Sequence, residues 1–260
     1  MTEALEKKLA KWLETQGYPL EMKVASALSK QGFYVLQGAY YDDPETNTTR
    51  EIDVVASTRD IRGHFQVSFV IECKSTRDKP WVLFTSEDHV DGNRLLRYAT
   101  KPEKTHAILD EKFSQNTEAV LGLKWFVKEQ RLAYGAATAF SSGDDPAYKG
   151  IMSALKASMG LCRQTSKHTP LHFIFPVVVL EGRLFEAYLD KNEENNICEI
   201  EEGFVVYHRE ISDQPCSSIH IVTSNHLETF CKEAKQAVFE LKNLFQEEYE
   251  LTGLLPNMKS

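Results

Sequence analysis

The chain has 260 residues, 42% hydrophobic and 26% charged, which is the balance of a globular protein able to bury a core without disulfide or metal staples. Its formal net charge of -8 disfavours a broad non-specific grip on DNA, although a local basic groove can sit on an acidic protein. The five cysteines (73, 162, 198, 216 and 231) form no CxxC pair, which argues against a disulfide framework, and no apolar run approaches the ~20 residues of a membrane span.

The N-terminus, MTEALEKKLAKW, is charged and amphipathic and lacks a signal-peptide core, so a cytoplasmic location without membrane partners is expected. Leu5, Leu9, Trp12 and Leu13 repeat at helical spacing and predict a helix over 3–15, broken by Gly17 and Pro19. A second helix, about 20–31, carries Leu20, Val24, Ala27 and Leu28 and ends at Gly32. Residues 33–41 are rich in β-formers, DDPETNTT (42–49) is a turn by composition, and strands follow at about 50–57 and 66–74. Residues 75–105 are mixed and polar, with Trp81, Phe84 and Leu95 as apolar anchors. Helical pattern resumes over about 106–140, a boundary falls at SSGDDP (141–146), and a further helix covers 147–163. Two β runs, 172–180 and 183–189, are joined by Glu181-Gly182, and GFVVYHRE and SIHIVT read as two more strands. Residues 225–249 form a closing amphipathic helix, and Pro176 suggests an edge position or bulge within its β run. The expected architecture is one elaborated α/β domain over 1–260, with a separate subdomain over 167–260 as the alternative.

The chemistry concentrates in REIDVVAS (50–57) and FQVSFVIECKST (65–76). A Glu-x-Lys pair alone means little, because Glu6/Lys8, Glu21/Lys23, Glu233/Lys235 and Glu240/Lys242 also fit; all four lie in helical pattern, where positions two apart diverge. Glu72 and Lys74 lie in a β run instead, so they share a face while Cys73 points the other way. Charges ending so apolar a strand need partners. Hairpin-like pairing of the two strands brings Asp53 beside them, and two carboxylates so placed suit Mg²⁺ or Mn²⁺. Glu21 falls within the apolar arc of its helix, directed toward the sheet. The bland alternative is a simple Asp53–Lys74 ion pair at a strand end.

On these residues the chain resembles the PD-(D/E)xK phosphodiesterase superfamily, in the broad Mrr-like style. The similarity covers about residues 18–100, with Ile52 where the family's proline precedes the aspartate. The resemblance implies a restriction-endonuclease-like core, a mixed β-sheet flanked by helices, with an extended C-terminal β region and closing helix. It implies a catalytic core at about 18–105 and a nuclease with Asp53, Glu72, Lys74 and Glu21 as catalytic residues. Asp53, Glu72, the Cys73 carbonyl and Glu21 would hold Mg²⁺ or Mn²⁺, Lys74 would orient or help deprotonate the attacking water, and Glu51 would support Asp53. The expected substrate is DNA, duplex or branched, with RNA left open, in restriction, repair or defence. Cutting a duplex with one site per chain calls for a homodimer or a partner subunit. The rival expectation is a catalytically inactive module of the same fold that binds nucleic acid or protein.

Other groupings carry less. His168 and His172 are separated by Pro170 and lack a third zinc ligand. Ser153 and Lys156 lack the companion motifs of acyl enzymes, and no GxxxxGK[ST] loop occurs. Arg94 and Tyr98 occupy the spacing of a glutamine–tyrosine pair found in some exonuclease-like relatives, without the glutamine. Arg77, Lys79, Arg94, Arg97, Lys101 and Lys104 are candidate phosphate contacts, interleaved with Glu87, Asp88, Asp91 and Glu103.

Overall fold

The computed structural model describes residues 2–13, 16–76, 78–86, 98–123, 125–126, 131–165, 169–208 and 216–251. Helix α1 (Thr2–Leu13) leads into α2 (Tyr18–Lys30), which has Pro19 in its first turn, where a missing N–H costs nothing. The α2 C-terminus closes as the sequence predicts. Gly32 adopts φ +90°, its N–H bonds the Ser29 carbonyl, and the Phe33 N–H reaches back to Leu28.

Three antiparallel strands follow, β1 (Tyr34–Asp42), β2 (Thr49–Arg59) and β3 (Phe65–Ser75). Strand β4 (Trp81–Thr85) precedes helices α3 (Glu103–Gln115) and α4 (Thr117–Leu121) and strand β5 (Leu132–Thr138). Helix α5 (Pro146–Gln164) is capped by Asp145, whose carboxylate accepts the Ala147 N–H at 2.9 Å. The chain then runs through β6 (Leu171–Glu181), β7 (Leu184–Leu189), β8 (Asn195–Ile200), β9 (Glu202–His208) and β10 (Cys216–Thr223) to α6 (Leu227–Leu244) and α7 (Gln246–Leu251).

The ten described strands form one mixed sheet in the order β1-β2-β3-β6-β10-β9-β5-β4-β7-β8, flanked by helices. β6 is parallel to both β3 and β10 and buried on both faces, as an interior parallel strand must be. On one face Val54, Phe69, Ile71, Phe175 and Val179 pack against Leu20, Val24 and Leu28 of α2 and Phe230, Ala234 and Leu241 of α6. Phe69 is the hub, with ring centroids 5.3 Å from Phe175, 5.6 Å from Phe33 and 6.0 Å from both Trp125 and Phe230. On the other face the sheet curls around α5: Trp81, Leu83, Val178, Leu184, Val205 and Ile219 all pack with Ile151, Ala154 and Leu155. Only Gly182 and Arg183 separate β6 from β7, although the two strands hold distant places in the sheet order. The buried side of α5 is accordingly built from small residues, Ala147, Gly150, Ala154, Ala157, Ser158 and Gly160.

Several expectations are corrected. The helical pattern at 106–140 breaks after Leu121, and residues 132–138 form β5, antiparallel to β4 and parallel to β9. LAYGAAT reads as helix locally because alanine favours helices; its strand state comes from distant partners. The short β4 escapes periodicity for the same reason, whereas β8 escapes it because its sequence is polar and it is held by the neighbouring β7. Pro176 is on an interior strand with neither an edge nor a bulge. It falls between Ile174, which bridges Thr100, and Val177, where the β10 ladder begins, so no partner strand needs its missing N–H. No described helix is long and apolar enough to cross a membrane.

Gly160→Ala tests how closely α5 and β1 must approach. Alanine is the better helix former by ~1 kcal/mol. Its Cβ, however, would sit 2.4 Å from Cδ2 of the buried Tyr41 ring and 3.0 Å from the Asp42 carbonyl oxygen. Overpacking should win, and urea unfolding should show a net loss of about 1–2 kcal/mol.

Candidate active site

β2 and β3 pair with Val54 opposite Ile71 and Val55 opposite Val70. One step further in that register Asp53 stands opposite Glu72, and Glu72 and Lys74, alternating with Ile71 and Cys73 of the other face, project toward α5. The ladder ends at Val54–Ile71, and the next inward amide, the Cys73 N–H, is taken by Asp53 Oδ2 at 2.7 Å. N–H and C=O of one strand residue leave by the same edge, so the Cys73 carbonyl faces the same gap. Glu72 is buried, and its Oε1 accepts from the half-buried Lys74 ammonium. The Lys74 stem crosses α5 at Gly150, where an added Cβ would lie 3.1 Å from Lys74 Cγ.

Glu21, in the first turn of α2, is half-buried; burial raises its carboxyl pKa, Glu51 and Glu72 add to the rise, and Lys74 opposes it. Asp53 is pushed much further, to about 7, first by burial and then by Glu72, against the pull of the Cys73 N–H and Lys74. Burial alone would lower the Lys74 ammonium, but Glu72 beside it, helped by Asp53, raises it above its ordinary value. The Cys73 thiol is raised chiefly by burial and is no nucleophile here. The structure therefore brings Asp53, Glu72 and Lys74 together and couples Glu21 to them electrostatically. The solvent-exposed Glu51 joins through Glu21.

The donor set fits Mg²⁺ or Mn²⁺. Three carboxyls face one ammonium, and the rise at Asp53 comes first from burial and then from the Glu72 charge beside it. Among the described residues, Asp53 Oδ1 and Glu72 Oε2 accept no hydrogen bond, which leaves hard oxygen donors beside the Cys73 carbonyl. Asp53, Glu72, that carbonyl and Glu21 are the groups able to hold the ion.

Two glycines belong to the site as well. Gly38 stands opposite Asp53 on β1 at φ +62°, where an added Cβ would be 2.9 Å from Glu51 Oε1. A lone glycine inside a β run was the available signal. Gly150 gave none, because its role depends on α5 crossing β3. The site's surroundings also exceed residues 18–105: Val178 and Leu180 of β6 flank Glu72 and Lys74.

The secondary candidates disperse. Lys101 is corrected as a phosphate contact: it is buried, its ammonium donates to the Ala99 carbonyl at 3.1 Å, and burial lowers its pKa to about 8. Lys79 and Lys104 are exposed, whereas Arg77, Glu87, Asp88, Asp91, Arg94, Leu95 and Arg97 lie outside the described residues. Tyr98 is a core residue, its ring packed on Trp125, Phe175 and Phe204. His168 lies outside the described residues, and both ring nitrogens of the buried His172 meet hydroxyls, of Ser68 and Thr165. Lys156 pairs with Glu45 at 2.6 Å. Set against known proteins, the chain matches no family model, no curated protein and no solved structure.

A carboxyl whose pKa is raised by folding binds its proton more tightly in the native state. Asp53 should therefore remove stability as pH rises from about 4, where the unfolded aspartate ionises, to about 7. In metal-free buffer at pH 8, Asp53→Asn should be more stable than the native chain by about 1–3 kcal/mol, since the amide oxygen can still accept from Cys73. Thermal melts between pH 4 and 8 should show this advantage shrinking toward the acid end.

Proposed function

We propose that this protein is a Mg²⁺- or Mn²⁺-dependent nuclease that hydrolyses DNA phosphodiester bonds, with a restriction-endonuclease-like core. One observation carries the reading: Asp53 and Glu72 oppose each other where β2 and β3 part, with Lys74 bonded to Glu72 on the same face. The helix-flanked mixed sheet and the half-buried Glu21 support it. A simple Asp53–Lys74 ion pair fits less well, because Lys74 bonds Glu72 and Asp53 bonds a backbone amide.

Asp53, Glu72 and the Cys73 carbonyl would hold the ion, and Glu21 would reach it directly or through water. The bound ion supplies polarisation of the scissile phosphate and a more acidic water. Asp53 and Glu72 contribute fixed acceptor oxygens on a rigid sheet, which orients the reacting groups. Lys74, kept protonated by Glu72, acts as a donor: it orients the attacking water and offsets charge growing on the phosphate. Gly150 leaves the space the Lys74 stem occupies, and Gly38 leaves room for the Glu51 carboxylate. Duplex substrates, cut by paired copies or with a partner subunit, suit one such site per chain.

Supercoiled plasmid, linear duplex, branched DNA and single-stranded RNA incubated with Mn²⁺ or Mg²⁺ test the reading. Nicking or linearisation of DNA is expected, abolished by chelator and reduced by about 10²–10³-fold in Lys74→Ala and Asp53→Ala. A folded chain that binds DNA but cuts none of these substrates would make it an inactive binding module, and cleavage surviving both substitutions would move the site elsewhere.

A further inference from the structure

On the opposite face of the sheet, Glu202, His226 and Glu233 each bring a ligand atom within 4.8 Å of the other two. Glu202 opens β9, His226 precedes the first turn of α6, and Glu233 follows seven residues later, two helical turns along the same side. Cross-strand partners run from Cys73 to Val179, Val222 and Glu202. Three strand spacings therefore separate Glu202 from the Asp53–Glu72 site, about 14 Å, and strand alternation turns it toward α6 instead of α5.

Two further observations set this grouping apart from incidental surface charge. The His226 Nε2 is sealed from solvent and has no hydrogen-bond partner among the described residues. A buried imidazole nitrogen in that state is costly to maintain and calls for a ligand. Glu202, for its part, is held in place from behind. Its Oε2 lies 2.9 Å from Nε2 of the fully buried His220, whose Nδ1 is 3.1 Å from the Tyr98 hydroxyl. Hydrogen bonds of this kind orient a ligating carboxylate and raise metal affinity.

We propose that Glu202, His226 and Glu233 bind a divalent transition-metal ion, with Zn²⁺ the best match to one imidazole and two carboxylates. The ion ties the start of β9 to the first two turns of α6 and so clamps the closing helix to the sheet. Its role is structural, and it stands independently of the nuclease reading, whose site uses other residues.

Calorimetric titration of the full chain with Zn²⁺, carried out in an Asp53→Asn background to weaken the other candidate site, tests this directly. About one equivalent should bind, and Zn²⁺ at 100 times its Kd should raise Tm by about 5 °C or more. His226→Ala and Glu233→Gln should each weaken binding at least 100-fold and remove the Tm shift, and His220→Gln should weaken it by about 10–100-fold. Should His226→Ala fail to fold, Glu233→Gln carries the test alone, because it keeps shape and hydrogen bonding. Absence of stoichiometric Zn²⁺ binding, or undiminished affinity in a folded Glu233→Gln protein, would overturn the proposal.

Discussion

Aromatic packing around Phe69 fixes the register of β3, and that register decides which side chains reach each face of the sheet. Phe69 and Ile71 point into the core beneath α2 and α6, whereas Val70, Glu72 and Lys74 point toward α5. A slip of one residue would drive a carboxylate and an ammonium into the aromatic cluster and bring Cys73 out beside Asp53. Four rings converge on Phe69, so the slip would forfeit several kcal/mol of apolar burial and add the cost of unpaired buried charge. The hydrophobic face thus holds the chemistry of the other face in place.

The charge balance on the α5 face follows from the same geometry. Asp53 is half-buried with only a backbone amide to bond, and Glu72 stands beside it, so burial first and the neighbouring carboxylate second make the aspartate resist ionisation. Sites of this kind sacrifice stability of the bare fold in return for affinity toward a cation. Lys74 is not the odd member of the set; its raised pKa makes it a permanent positive charge within reach of whatever the carboxylates bind.

What was legible in the sequence was local. Period-two alternation marked β2 and β3, Gly32 marked the end of α2, and the pairing of those strands followed from the short link between them. Asp53, Glu72 and Lys74 were readable for that reason. Glu21 needed only a helical wheel. By contrast, β5 is a strand because of partners far along the chain and β8 because it folds back on the neighbouring β7, and LAYGAAT and NNICEI carry no periodic signal of their own. Pro176 misled because its tolerance depends on where Thr100 and β10 meet β6, a fact of tertiary structure. Lys101 looked solvent-facing among mixed charges, yet the Thr100 bridge to Ile174 draws the backbone beside it against β6 and its side chain is buried.

The position of β10 has a consequence for biosynthesis. Of the described strands it comes last in sequence, yet it lies between β6 and β9 in the middle of the ten. A chain emerging from the ribosome therefore carries two partial sheets, β1-β2-β3-β6 and β9-β5-β4-β7-β8, each with an open apolar margin, until residues 216–223 arrive to join them. Such margins template pairing with other chains, so the nascent protein passes through an aggregation-sensitive window that closes when residues 216–223 emerge, and shielding by a chaperone would matter most before that point.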